Sequence, residues 1–192
     1  MKLAVPTEEE CNFMSNFNLA QLLNQYFPKD QAEVDCKNRM LQFLLKHPDC
    51  FERFLQVGHF TASAWLINRS GQKALLMHHK KLNNWLQLGG HADGDTDLLN
   101  VAIKEAIEES GIDDIAPVQT TIFDIDIHTI PANKKDPEHE HFDVRFLLRV
   151  QSGVDFLKND ESNELRWIDK SEASLPTTEA SILRMFHKWC SL

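Results

Sequence analysis

The sequence predicts an α/β fold: a mixed β-sheet sandwiched between α-helices, with a helical arm ahead of it. Three observations carry this prediction. Residues 1–57 place apolar side chains at helical spacing and are punctuated by Pro28 and Pro48. From Gly58 onward the period shortens to two and β-forming residues dominate. A single long helical pattern then interrupts the strands after Gly89-Gly90, and a second one closes the chain. Strands interleaved with helices are the pattern of layered α/β architectures.

In the arm, residues 1–57, Phe13, Phe17, Leu19, Leu22, Leu23, Tyr26 and Phe27 form an amphipathic segment that Pro28 stops. Asp30 can cap a second helix whose stripe is Met40, Leu41, Leu44 and Leu45, ended by Pro48. A short turn from Cys50 to Leu55 runs out at Gly58. No catalytic constellation is visible here. The stripes read as packing, either onto the domain that follows or onto a second copy of the chain. Residues 58–192 then read as one domain. His59–Asn68 and Lys73–Met77 are strands joined by the turn R-S-G-Q, and Trp85–Leu88 is a third short strand. After the long helix come Thr121–Ile130, a polar loop, Glu138–Val150 and a strand around Leu165–Ile168. The closing helix, Thr178–Cys190, is carried by Ile182, Leu183, Met185, Phe186 and Trp189.

Charge narrows the function. Twenty Lys and Arg face 29 Asp and Glu, a formal net charge of −9. An acidic chain without basic runs is ill suited to wrapping a nucleic-acid backbone. It can handle an anionic small molecule only where a cation or a local basic cluster offsets the repulsion. His78, His79, Lys80 and Lys81 form the densest such cluster, open to reading as a solvated loop or as a grip on phosphate. The four cysteines make no C-x-x-C pair, which favours reduced thiols. The start, MKLAVPTEEE, does not read as a secretory signal, and no apolar run reaches membrane-spanning length. A cytoplasmic protein without nucleic-acid or membrane partners is expected.

The most informative stretch is Gly89–Ile112, GGHADGDTDLLNVAIKEAIEESGI. On a helical wheel Leu99, Ile103, Ala106 and Ile107 fall on one face, and Glu105, Glu108 and Glu109 fall together on the opposite one. Like charges at i, i+4 repel, and anions near a helix C-terminus oppose the macrodipole. Converging carboxylates are, however, what hard oxygen-seeking cations such as Mg²⁺ require. The stretch resembles the signature of the Nudix hydrolases, G-x5-E-x7-R-E-U-x-E-E-x-G-U, with U a bulky aliphatic residue. Gly90 opens the pattern and Glu105, Ala106, Glu108, Glu109, Gly111 and Ile112 close it at intact spacing. Thr96 stands where the family has Glu and Lys104 where it has Arg, while Ala106 is a small version of U. Asp95 or Asp97 is a candidate substitute for the missing Glu. Phrases such as HHKKLNNWLQLGGHADG and PEHEHFDVRFLL are similar to a bacterial branch that includes nucleoside diphosphate sugar hydrolases.

The resemblance implies a Mg²⁺-dependent hydrolase, with Mn²⁺ an alternative, that cleaves the diphosphate linkage of a nucleoside diphosphate joined to another moiety. It implies metal binding by Glu105, Glu108 and Glu109, with the carbonyl of Gly90. The general base stays open among Glu108, Glu109, Glu138, Glu140 and Glu164. His79, Lys81, His91, Asp93, His141 and Arg145 are the substrate-binding candidates, with Trp85 as a stacking surface. On the strand after the polar loop, His139, His141, Asp143 and Arg145 share one face by the period of two. Two alternatives keep the fold: a house-cleaning nucleoside triphosphate pyrophosphatase, and a catalytically weak nucleotide-binding module. Nine histidines, including His78-His79 and His139-x-His141, raise a His-based metalloenzyme, but no H-E-x-x-H or Cys/His zinc spacing accompanies them. A homodimer through the N-terminal helices is also expected.

Overall fold

The computed structural model describes residues 18–133, 135–152, 156 and 162–192; Cys11, Phe13 and Phe17 lie outside them. Residues 18–25 are helical, and α1 spans Gln31–Lys46. Asp30 caps α1 as its sequence position predicts, its carboxylate accepting the Glu33 amide at 2.9 Å. Among the described residues eight strands follow: β1 Gly58–Ile67, β2 Lys73–His79, β3 Asn84–Leu86, β4 Leu88–His91, β5 Ile115–Pro117, β6 Asp124–Ile130, β7 His139–Val150 and β8 Ser162–Asp169. Helix α2, Leu98–Ser110, lies between β4 and β5, and α3, Ala180–Cys190, closes the chain. Gly111 ends α2 in the left-handed conformation at φ 69°, where only glycine avoids a Cβ penalty.

The strands form one mixed sheet in the order β3-β2-β1-β7-β5, with β4 also pairing β1, β6 pairing β7 and β8 pairing β2. Among the described residues only β1 and β7 run parallel, in register from Gly58 opposite Glu140 to Ile67 opposite Arg149. Every residue of β1 is buried, so the alternation in its sequence does not mark a wet face. Instead its two faces serve two cores. Ala62, Ala64 and Leu66 pack with α2 and the N-terminal helices, and Trp65 and Ile67 pack with Ile182, Met185, Phe186 and Trp189 of α3. Leu19, Leu23, Met40 and Leu44 belong to the first of these cores, so the arm is packed onto the sheet domain. Phe27 and Leu45, expected in the arm's stripes, are instead 88% and 86% exposed.

Behind the sheet a buried ion network joins four elements. Arg145 on β7 donates to Asp143 at 2.7 Å, Asp124 at 2.9 Å and Asp126 at 3.1 Å. Arg184 and Lys188 of α3 also bind Asp124, and Lys188 lies 2.8 Å from Glu33 of α1. Such a network stabilises only when every member is paired. Burial pushes the Asp124 carboxyl up, but Arg184, Arg145 and Lys188 more than offset this and hold it below the usual carboxylate range. Asp126, Tyr26 and Glu33 also face it. A depressed folded-state value contributes stability that is complete above the unfolded value, about pH 3.9, and is lost as pH falls through the folded one. The thermal midpoint is therefore expected to fall steeply below about pH 4, and Asp124→Asn is expected to flatten that acid limb in a scan of midpoint against pH.

Candidate active site

Gly89 and Gly90 are strand residues of β4, opposite Ser63 and Ala62 of β1, rather than a turn, and they pack directly against α2. A Cβ on Gly90 would lie 2.5 Å from the Glu105 carboxyl group, and one on Gly89 would lie 2.7 Å from the Ala62 carbonyl. Glycine here is a condition of the close approach. The Gly89 amide donates to Glu109 Oε2 at 2.7 Å, and Glu109 is only 5% exposed. This corrects the helical-wheel reading. The buried side of α2 is Leu98, Val101, Ala102, Ala106 and Glu109, whereas Leu99, Ile103 and Ile107 are half-buried. Glu105 and Glu109, one turn apart, point toward the Gly-Gly strand. Glu108 is displaced from them onto the exposed side, 3.9 Å from Lys104. The wheel could not foresee this, because β4 provides an amide donor on the side that hydropathy alone assigns to solvent.

Asp95 and Asp97 serve the start of α2. Asp97 accepts the Asn100 amide at 3.1 Å, and Asp95 accepts the Asp97 amide at 2.9 Å. Both act as local turn and cap acceptors around Thr96.

Beside this glycine pair opens a cleft of about 950 Å³. Its walls carry Gly89, Gly90, His79, Lys81, His91 and His141 among the expected residues, together with Arg53, Phe54, Leu82, Leu86 and Lys135. His79 Nδ1 accepts the Leu82 amide at 3.1 Å, which fixes the ring proton on Nε2 in the neutral form. Asp93 stands at the rim, paired with Arg53, whose guanidinium holds its carboxyl below the usual range.

Other expected residues sit elsewhere. Arg145 is 2% exposed and paired with three carboxylates, so it does not reach the cleft and instead holds Asp143 from behind. Glu140 projects from the other face of β7 and pairs with Arg39 of α1. Glu164 pairs with Arg166 on the exposed side of β8, and Glu138 is exposed outside the cleft lining. Trp85 faces the α3 layer and lies under the Arg166 guanidinium at 4.6 Å, not in the cleft. Period two explains Glu140 and Trp85, each the strand neighbour of a cleft residue and so facing away from the cleft.

Sequence reading singled out neither His59 nor His128. Register brings them in. His59 on β1 is opposite His141 on β7, His141 is opposite His128 on β6, and Thr61 of β1 is opposite His91 on β4. Five imidazoles, with His139, thus gather at one end of the cleft, their neighbouring ring centroids 4.8 to 5.4 Å apart. Burial, followed by the neighbouring imidazoles, pushes His141 down to about 2 and His59 to about 4. The only local signal was His139-x-His141; the other partners come from strands far apart in sequence. Beneath them Asp143 accepts from Thr61 at 3.0 Å, Ser63 at 2.7 Å and Gln87 at 3.2 Å, a polar floor held by Arg145.

A family model described as NUDIX domain matches residues 58–190. Among solved structures, a NUDIX-family hydrolase from Clostridium perfringens is 25% identical, covers 68% of this chain and 95% of its own, and superposes with a TM-score of 0.50. An Ap4A hydrolase binary complex from C. elegans is 18% identical, with 69% and 95% covered and a TM-score of 0.54. A UDP-X diphosphatase is 12% identical but is matched over 96% of both chains, with a TM-score of 0.51. No curated protein matches.

Proposed function

This chain belongs to the NUDIX family, hydrolases acting on phosphoric anhydride bonds, and from that premise we propose that it cleaves the diphosphate of a nucleoside diphosphate linked to another moiety, of the nucleotide-sugar or ADP-ribose type. The observation that carries the reading is the approach of Glu105 and Glu109 to the Gly89-Gly90 backbone at the edge of a large cleft. An all-oxygen set of carboxylates beside a stretch of strand backbone without side chains fits a hard dication, Mg²⁺ or Mn²⁺. Glu105 and Glu109 would hold it, with Glu108 completing the carboxylate set and the Gly90 carbonyl contributing. When bound, such an ion polarises the diphosphate and lowers the pKa of water.

The chain's own groups supply the rest. The Gly89 amide holds the Glu109 carboxylate in one orientation, which favours it over Glu138, Glu140 and Glu164 as the group that takes a proton from attacking water. Arg53, Lys81 and Lys135 bring positive charge to the cleft of an otherwise acidic protein, where a diphosphate's charge must be offset. Phe54, Leu82 and Leu86 offer apolar surface for a base, and His79 and His91 offer polar contacts to the second moiety. Asp93 would act at the rim through its Arg53 pair. A cleft of about 950 Å³ suits a two-part ligand, being at the large end of small-molecule sites. Supporting a reduced, cytoplasmic setting, Cys36, Cys50 and Cys190 carry free thiols.

The test is product analysis with Mg²⁺ across nucleotide sugars, ADP-ribose, dinucleoside polyphosphates and triphosphates. A nucleoside monophosphate plus a phosphorylated second moiety is expected. Pyrophosphate released from triphosphates as the main product would replace this reading with the triphosphatase one. Tight binding of the nucleotide sugars without turnover would refute it. The exposed Phe27 and Leu45 support a homodimer through the helical arm. Sedimentation is expected to give twice the 22.1 kDa chain mass, and a monomer at micromolar concentration removes the dimer.

A further inference from the structure

The imidazole cluster at the end of the cleft is more than a polar lining. His139 Nδ1 lies 2.8 Å from the Pro137 carbonyl. A carbonyl only accepts, so Nδ1 carries the ring proton and Nε2 presents a lone pair. That Nε2 faces His141 Nε2 at 3.3 Å. Neither ring nitrogen of His59, itself 2% exposed, has a hydrogen-bond partner among the described residues, although the Leu55 carbonyl is near enough to raise its proton affinity. Buried imidazole nitrogens without partners are costly, and such atoms call for an explanation. One nitrogen from each of His59, His139 and His141 lies within 4.8 Å of the other two.

The geometry points to a binding site for a transition-metal dication of the zinc class at His59, His139 and His141, distinct from the carboxylate site of α2, with the fourth position open to the cleft. Metal–nitrogen bonds of about 2.0–2.1 Å in a tetrahedron set ligand nitrogens about 3.4 Å apart. The His139–His141 separation of 3.3 Å already matches that spacing. His59, whose nitrogen lies within 4.8 Å of the others, has a soft ring torsion about which it can turn toward the site. Donor chemistry separates the two sites: neutral imidazoles select zinc-like ions, whereas the carboxylates of α2 suit magnesium-like ones. The ring-proton hydrogen bond from His139 to Pro137 is the kind of outer support that ligating histidines use. All three rings line the cleft, leaving the fourth position accessible to water or an anionic ligand.

The full chain, stripped of metal, is titrated with Co²⁺ and then Zn²⁺. One equivalent of Co²⁺ is expected to give the intense visible bands of a tetrahedral centre, displaced by Zn²⁺. His139→Asn and His141→Asn are each expected to weaken Co²⁺ binding by at least about 100-fold, whereas the double variant Glu105→Gln, Glu109→Gln keeps the bands. Loss of hydrolysis with the bands intact therefore bears on the α2 site alone. Should the histidine variants fail to fold, X-ray absorption of the Zn²⁺-loaded wild type decides. Scattering from three imidazoles supports the site. An oxygen-only shell, absent tetrahedral bands, or unchanged affinity in the folded histidine variants overturns it.

Discussion

Glu109→Gln is expected to lower kcat for diphosphate hydrolysis by about 10³-fold, or about 4 kcal/mol in activation free energy, with the fold intact. The reason is local. The amide oxygen of Gln still accepts the Gly89 N–H, so the 2.7 Å contact that seats the side chain survives, and with it the packing of α2 on β4. What disappears is the negative charge, on which both cation binding and proton acceptance depend. Glu108→Gln is expected to lose less, because that carboxylate is more than half exposed and partly offset by Lys104. Steady-state kinetics at saturating Mg²⁺, with circular dichroism as the fold control, checks both. Wild-type turnover in Glu109→Gln would contradict the assignment.

Arg145→Met is expected to destabilise the protein by about 3–5 kcal/mol, the cost of leaving buried charge uncompensated. Arg145 contacts all three of Asp124, Asp126 and Asp143, and Met fills much of its volume without replacing any of those bonds. At about 2–4 °C per kcal/mol for a chain of this size, the thermal midpoint is expected to drop by about 6–20 °C. Arg145→Lys is expected to recover little, since a single ammonium cannot span three carboxylates in the guanidinium's planar fork. A midpoint within 2 °C of wild type, by calorimetry, would mean that Arg184 and Lys188 hold the network by themselves. The ordered polar floor under the cleft depends on the same residue, so weaker substrate binding should accompany the loss.

The elements themselves were legible because their signals are local. Asp30 caps a helix, Gly111 stops one, and period two marks β7 almost to its observed ends. The short β5 carries too few residues to show a period, and it was missed. Facing was harder to read. Arg145 alternates correctly with His139, His141 and Asp143 along β7, yet the strand leaves the cleft before it reaches residue 145. Trp85 and Glu140 sit on the right strands and the wrong faces. The histidine cluster was invisible because His59 and His141 are brought side by side only by a parallel pairing that a long crossover separates in the chain.

What the sequence by itself determined is the family, the succession of elements and the carboxylates of α2, since spacing along one helix and turn chemistry are properties of neighbouring residues. Only the tertiary structure decided which of those carboxylates is buried, that Arg145 braces the fold, and that five imidazoles meet. Each of these follows from which strands lie side by side, and strand pairing is set by the burial of whole faces, which no short stretch of chain encodes.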